Sequence, residues 1–184
     1  MTVRANKPAF NVREKLKSLD YDNIPYEKMP PGSVIQYVTK AYHSTSGTSQ
    51  TTMTASGKKI TIYPKYADSQ IIVKFFATQY VDGQAGSRQT IRRNGSDFVR
   101  VFNEDGASAS GVHTTTSQIG FYGSGNTGWY GMGVMVAIDI DHNTQGEALE
   151  YEIYFQAGAG GGGDVYFPPG SVDHTFVEAY EVKR

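Results

Sequence analysis

The side chains most often used in catalysis and metal binding are few and scattered in this chain. It contains no cysteine, which excludes disulfides and thiolate metal sites. Its four histidines are His43, His113, His142 and His174. No two of them have the spacing of a metal-binding pair such as HExxH or HxH. We therefore expect surface or interface histidines and no bound metal.

Two glycine-rich segments have the composition of catalytic loops but not their context. Residues 123–126 (GSGN) resemble a GxSxG nucleophile elbow only loosely, and they lie in a predicted loop rather than between a strand and a helix. Residues 158–163 (GAGGGG) lack the Lys-Ser/Thr pair of a phosphate-binding loop and the helix that follows it. Both segments are predicted to be loops without a catalytic role.

Acidic residues cluster at the end of one predicted strand and along the next. Asp139, Asp141 and Glu147 could supply oxygen ligands for calcium, but their spacing is not that of an EF-hand. Glu150 and Glu152 share one face of an alternating strand, so they are more simply its solvated side than a glycosidase pair. Because no nucleophile, base or cofactor pattern is present, the chain is predicted to be no enzyme and to use no cofactor.

Aromatic residues form a pattern compatible with ligand binding. Phe121, Tyr122, Trp129 and Tyr130 lie in or just after a Gly/Ser/Thr-rich segment, residues 104–127, that is predicted to be a long exposed loop. Aromatic rings on such a loop can stack on sugars, and they can equally pack against a domain core or a trimer axis. Packing is the simpler interpretation, and sugar binding stays open as an alternative.

From residue 30 onward the sequence predicts strands and turns. Residues 149–155 alternate between apolar and polar side chains, and residues 71–77 are apolar on both faces, which predicts a central strand covered on both sides. Asn94-Gly95 between two short β-type runs predicts a hairpin with a type I′ turn. About eight to ten short strands at this spacing predict an all-β, jelly-roll-like antiparallel sandwich.

Residues 1–29 are predicted to be an attachment arm on this body, residues 30–184. Residues 1–19 carry five basic side chains and one acidic one, a charge of +4, whereas the whole chain sums to −1. Residues 11–19 have the capping pattern and apolar spacing of one short helix, which a proline-containing linker follows. Because so short a helix is marginally stable alone, we expect it to dock on a partner. The residues predicted to make that contact are Arg4, Phe10, Val12, Arg13, Leu16 and Leu19.

Composition also limits the partners of the chain. No apolar run approaches the length of a membrane span, and the N-terminus lacks the apolar core of a secretory signal. The body is close to neutral, which argues against a nucleic-acid groove, and the basic arm alone would bind nucleic acid only non-specifically. We expect neither nucleic-acid binding nor membrane insertion.

Four stretches, in this order, resemble the β-rich domain of virion appendage proteins of tailed bacteriophages, particularly marine and cyanobacterial phages. They are residues 29–36 (MPPGSVIQ), residues 60–64 with 69–73 (ITIYP and SQIIV), residues 91–96 (IRRNGS) and residues 175–182 (TFVEAYEV). Residues 6–16 (NKPAFNVREKL) are similar to the starts of short phage virion proteins.

The resemblance implies a non-enzymatic structural protein on the surface of the virion, which forms a homotrimer and binds capsid or tail proteins through its arm. The small cysteine-free body and its tyrosine-rich strands also favour oligomerisation. No coiled coil or repeat supplies a shaft, so a knob that decorates or cements the capsid, or a short fibre, is favoured over a long tail fibre. Two alternatives stay open: a receptor-binding fibre tip that contacts host surface glycan, and a free carbohydrate-binding sandwich module.

Overall fold

The computed structural model describes residues 25–81, 87–95, 100–102, 129–157, 164–167 and 175–184. Within these ranges the chain forms one 3-10 turn, Tyr26–Lys28, and ten strands, which confirms the predicted all-β fold. The strands are β1 (Val34–Tyr42), β2 (Ser46–Thr48), β3 (Thr54–Ile62), β4 (Gln70–Val81), β5 (Ser87–Arg93), β6 (Arg100–Phe102), β7 (Trp129–Asp139), β8 (Leu149–Ala157), β9 (Val165–Phe167) and β10 (Thr175–Val182). The predicted helix over residues 11–19 lies outside the described residues.

The strands form two antiparallel sheets that pack as a sandwich. The large sheet has seven strands, with the order β1–β10–β4–β7–β6. In the same sheet β9 pairs with the C-terminal end of β4 and also with β2. The small sheet has the order β3–β8–β5. The predicted antiparallel sandwich is therefore confirmed, and its jelly-roll character stays a prediction.

The core lies between the two sheets, where alternation along each strand supplies an inward side chain at every second position. Val73 and Phe75 of β4 and Ile153 and Phe155 of β8 are almost wholly buried there. The burial of β8 alternates along its whole length, which confirms the pattern predicted for residues 149–155. This shared apolar layer holds the two sheets together and leaves each sheet with one outward face.

The turn at Asn94-Gly95 forms, but the hairpin predicted around it was wrong. Both residues have positive φ, 49° and 76°, as a type I′ turn requires. Asn94 continues the pairing of β5 with β8 through two bonds to the backbone of Glu150, each 2.8 Å long. After the turn, β6 pairs with β7 in the other sheet. The Asn-Gly pair specifies a reversal of the backbone and not the strand that pairs next, so the chain crosses between sheets here.

β4 is central, as predicted, but only one of its faces is covered. Its inward residues are buried, whereas its outward residues, such as Ile72 and Phe76, are only partly buried. The prediction that this strand is covered on both sides is therefore wrong. Apolar residues on both faces of a strand indicate two surfaces that water disfavours, and they do not specify that the same chain covers both.

Side chains of β1 close one edge of the sandwich. The Tyr42 hydroxyl donates a hydrogen bond to the Lys59 carbonyl and accepts one from the Lys59 amide, the latter 2.9 Å long. Gln36 donates from Nε2 to the Tyr63 carbonyl at 2.6 Å. These bonds link β1 of the large sheet to β3 of the small sheet, and they satisfy backbone groups that a neighbouring strand would otherwise pair.

Candidate functional site

The base of the arm is fixed to one end of the sandwich. Tyr26 stacks on Tyr66 with ring centroids 4.1 Å apart. Lys183 donates from Nζ to the Tyr26 carbonyl at 2.5 Å and lies 4.8 Å from the centre of the Tyr26 ring. Backbone bonds from Gly32 to Lys183 and from Lys183 to Ser33, of 2.8 and 2.9 Å, extend the pairing of β1 with β10. The arm therefore leaves the body from a defined position.

The residues predicted to attach or to bind ligand are described only in part. Outside the described ranges lie Arg4, Phe10, Val12, Arg13, Leu16 and Leu19 of the arm, with Phe121 and Tyr122 of the aromatic loop. Trp129 and Tyr130 begin β7, where their backbone is opposite Val81 and Tyr80 at the C-terminal end of β4. The arm base is next to the other end of β4, so these two aromatic residues lie far from the arm base.

A wholly buried carboxylate, Glu181, organises the arm end of the sandwich. Its Oε2 accepts hydrogen bonds from Gln36 Nε2 at 2.6 Å and from the Lys65 amide at 2.9 Å. Its Oε1 lies 2.9 Å from the Tyr66 amide and 2.8 Å from Ser69 Oγ, both of which can donate to it. Four donors around one carboxylate compensate for its removal from water. They also fix the loop between β3 and β4 on which Tyr26 stacks.

His142 is buried beside this carboxylate, and the prediction of surface or interface histidines is wrong for it. Its Nδ1 accepts the Thr144 amide at 3.2 Å, so Nε2 carries the proton and donates it to the Ser69 carbonyl at 3.0 Å. A catalytic triad instead needs an unprotonated histidine nitrogen towards the serine and the carboxylate on the histidine. Here the carboxylate of Glu181 bonds the serine, so these groups support the loop rather than activate Ser69.

A second buried cluster joins the two sheets through Asp139. Arg93 donates from Nη1 to Asp139 Oδ2 at 2.6 Å, and Tyr151 donates from its hydroxyl to the same oxygen at 2.8 Å. Asp139 is 1% exposed. Burial first, and then the charge of Asp139, raise the pKa of Tyr151 above its ordinary value. Asp139 therefore serves as the counter-ion of Arg93, and the calcium ligand considered for it has no support here.

Lys58 is a buried cation on the inward side of β3. It is 2% exposed, and its Nζ donates to Ser44 Oγ at 3.0 Å and to Ser46 Oγ at 2.9 Å. Burial lowers the pKa of Lys58 below its ordinary value. Two hydroxyl acceptors satisfy its protons without neutralising its charge, so this position costs stability whenever the amine is protonated.

The outward face of the large sheet, which we name the apolar face, carries three rows of side chains across β1, β10, β4 and β7. In strand order the rows are Ala41, Phe176, Phe76 and Val134; Thr39, Glu178, Lys74 and Val136; and Tyr37, Tyr180, Ile72 and Ile138. Tyr37, Val134 and Phe176 are 47%, 50% and 41% exposed. Large apolar side chains so exposed on one face mark interaction surfaces in soluble proteins.

The polar residues of the apolar face are bonded to one another. Glu178 accepts the hydroxyl protons of Tyr37 at 3.1 Å and of Tyr180 at 2.7 Å, and these two rings are 4.8 Å apart. Lys74 Nζ lies 5.2 Å from the centre of the Tyr180 ring. The hydrogen bond to Glu178 is the main reason that the pKa of Tyr180 rises to about 12. The face therefore holds one acid and one base, fixed among tyrosine rings.

The outward face of the small sheet, which we name the charged face, has a different chemistry. Lys59 forms an ion pair with Glu150 at 2.8 Å, and the Gly57 amide donates to Glu152 at 2.7 Å. Arg92 lies over the Tyr154 ring at 4.4 Å. The expectation that Glu150 and Glu152 occupy the solvated side of their strand is thus confirmed. Paired charges of this kind suit a surface that stays in water.

A shallow cleft of about 430 Å³ lies at the end of the sandwich away from the arm base. Its lining residues are Gly47, Thr48, Ser49, Gln50, Asp164 and Tyr166. The Tyr166 hydroxyl donates to Asp164 Oδ2 at 2.9 Å, and a Cβ on Gly47 would lie 2.7 Å from the Tyr166 ring. This end of the molecule also contains the backbone of Trp129, since Val81 is opposite both Trp129 and Val165.

Neither a cluster of metal-ligating side chains nor a membrane-spanning helix is found among the described residues. No group of three or more His, Asp or Glu side chains is gathered there in a way that could hold a metal ion. Within the same ranges, none of the helical segments has the length and apolar character needed to cross a membrane.

Sequence reasoning missed both buried clusters, although a signal for them is present. Val177, Ala179 and Glu181 alternate along one strand, so the carboxylate occupies an inward position after two apolar residues. Met135, Ala137 and Asp139 follow the same rule in β7. An acid at an inward position of an alternating strand predicts a buried partner, which identifies the residue but not its partner.

Comparison with known proteins identifies no family for this chain. No family model matches it, and no curated protein matches it either.

Proposed function

We propose that this chain is a non-enzymatic structural protein of a tailed-phage particle: a homotrimeric knob that its N-terminal arm attaches to capsid or tail proteins. In this proposal the body is a jelly-roll-like sandwich on the particle surface. Its main role is to decorate or cement the capsid, or to form a short fibre. Two kinds of observation support it: the resemblance of four sequence stretches, and the arrangement of the arm base and the apolar face.

The observation that carries the proposal is the fixed arm base. Tyr26 and Gly32 are held against the last residues of the body by a ring stack, an amine-to-carbonyl bond and backbone pairing. Together these contacts hold the body in a fixed orientation relative to the start of the arm. Such a start suits a segment that positions a knob on a surface better than it suits a loose tether.

The bonding of the buried polar groups also supports a structural role. Glu181, His142 and Asp139 are the groups from which an acid–base site could have been built, and each is engaged in bonds that join loops or sheets. A general base needs an available lone pair within reach of a substrate. In this part of the fold those lone pairs already accept hydrogen bonds from the protein.

Cryo-EM of the purified phage particle tests the proposal. We expect density for the sandwich at regular positions on the capsid, with arms running beneath groups of three bodies, which would indicate a cement protein. Density confined to the tail or one vertex would favour the short fibre. Particles that contain no copy of this chain by mass spectrometry would refute a virion role.

A second candidate, receptor binding, is favoured by the cleft. Asp164, Tyr166 and Gln50 offer a carboxylate, a phenol and an amide at the end away from the arm base, where a knob would face the host. Such groups can bond the hydroxyls of a surface glycan. If this candidate is right, Tyr166→Ala should reduce adsorption of phage to host cells, whereas Thr61→Ala on the charged face should not. Equal adsorption by both variants would contradict it.

A further inference from the structure

The three rows of the apolar face divide into two halves that carry opposite charges. A line between β10 and β4, parallel to the strands, divides the three rows into two halves. One half contains β1 and β10 with Glu178 and Phe176, and the other contains β4 and β7 with Lys74 and Phe76. Glu178 is opposite Lys74 across that line, and Phe176 is opposite Phe76. One half therefore carries the acid and the other half the base, and each half contributes one phenylalanine.

We propose that the apolar face is the surface by which copies of this chain contact one another. The β1–β10 half of one copy packs on the β4–β7 half of the next, around an axis parallel to the strands. This inference rests on the proposed homotrimer and adds to it the surface and the pairing of residues. The faces of the sheets point towards the axis, and the charged faces point outward to solvent.

Charge is the first reason that the occupant is a second copy. Rotation about such an axis brings Glu178 of one copy to Lys74 of the next, at the same height along the strands. Each copy contributes one acid and one base from these three rows, so every contact has an opposite-charge pair. If instead the same halves of two copies met, Glu178 would face Glu178 or Lys74 would face Lys74. Repulsion between these like charges disfavours that orientation.

The apolar residues give the second reason. The same rotation brings Phe176 of one copy to Phe76 of the next, which pairs two aromatic rings near the centre of the face. It also brings Tyr37 and Tyr180 towards Ile72 and Ile138. A cyclic assembly of one chain requires that one half of the face fit the other half, and these residue pairs meet that requirement.

The size of the face limits the strength of the contact. Four strands about 4.8 Å apart, crossed by three rows about 6.8 Å apart, give a patch on the order of 300–400 Å² once side-chain widths are included. That matches the largest exposed apolar patches of single chains, which are often functional, and is below the roughly 800 Å² per partner of a standard stable interface. We therefore expect association that depends on concentration.

Sedimentation equilibrium of the full chain and three variants tests the surface. Val134→Lys and Phe176→Ser change exposed residues of the apolar face, and Thr61→Lys adds the same charge to the charged face as a matched control. We expect the wild type and Thr61→Lys to associate alike, and both apolar-face variants to associate about tenfold more weakly or worse. Circular dichroism checks that each variant is folded, and the two apolar-face variants substitute for each other if one is not.

Charge reversal tests the pairing. Glu178→Lys or Lys74→Glu alone should weaken association, because each places like charges across the contact, and the double variant should associate more strongly than either single variant. If the wild type associates and every apolar-face variant associates equally, this surface is wrong while the homotrimer stands. If the wild type stays monomeric at all concentrations, both the proposed surface and the proposed homotrimer are wrong. Particle location, measured separately, then decides the remaining part of the proposed function.

Discussion

The two outward faces of this sandwich expose different kinds of side chain to solvent. The charged face meets water with side chains that pair on it, such as Lys59 with Glu150. The apolar face leaves Val134 half exposed and Phe176 41% exposed, and it uses its polar groups to bond one another. Antiparallel sheets ordinarily place one face on the core and a polar face in water. The small sheet follows that rule, and the large sheet departs from it.

The ion pairs on the two sides of the small sheet also differ in how deeply they are buried. The small sheet has one ion pair on its outward side, with side chains 46% and 35% exposed, and another on its inward side, where Asp139 is 1% exposed. Water screens the first pair, whereas in the second pair it reaches only the Arg93 side chain, which is 19% exposed. The same sheet therefore allows a direct measurement of what burial does to an ion pair.

The largest effect is expected from Asp139→Ala. This variant leaves Arg93 and the Tyr151 hydroxyl without the oxygen that both now share, and breaking a buried pair in this way costs about 3–5 kcal/mol of unfolding free energy. Glu150→Ala is the matched control on the charged face, and its loss should be much smaller. Chemical denaturation of both variants makes the comparison. Equal losses of unfolding free energy would mean that burial does not make the Asp139 pair more important for stability than the Glu150 pair.

A smaller gain in stability is expected from Lys58→Met. The pKa of Lys58 is lowered in the fold, so between that pKa and its ordinary value of 10.5 the unfolded chain binds more protons than the folded one. Stability of the wild type should therefore rise as the pH increases towards 10.5, and that rise should be reduced in Lys58→Met. Denaturation at a series of alkaline pH values measures it. A wild type that is no more pH-dependent than the variant would contradict the buried charge.

The smallest effect concerns a single titration on the apolar face. Tyr180 has a pKa of about 12 chiefly because its hydroxyl bonds Glu178. Its contribution to stability is present below the ordinary tyrosine pKa of 10.0 and is lost as the pH rises through about 12. Glu178→Gln should return this titration towards 10.0. NMR of ring-labelled tyrosine, assigned with Tyr180→Phe, follows it, and an unchanged titration in Glu178→Gln would show another cause.

The strands could be predicted from sequence because their signal is local. The alternation along β8 and the Asn94-Gly95 turn depend on residues next to one another, and both appear where they were expected. The partner of the strand after that turn could not be predicted, because pairing depends on edges formed elsewhere in the chain. The fold class was therefore predictable, and the crossing between sheets was not.

The arm-end clusters and the apolar face could be predicted far less well. Ser69 and Glu181 are 112 residues apart, and His142 lies between them in sequence, so only the folded topology brings them together. For β4, apolar residues on both faces were correctly detected, but sequence cannot say whether the second face is covered by this chain, by another copy or by water. Whether that face is covered depends on what packs against β4 and not on the residues of β4 itself.

The arm base has a mechanical consequence. Val34 is opposite Val182, and β1 stays paired with β10 as far as Tyr42 opposite Thr175. A pull on the arm along the direction of β1 would load this whole series of bonds at once, in shear, instead of opening them singly from one end. A pulling force on the arm would therefore meet the combined resistance of these bonds before it unfolds the body.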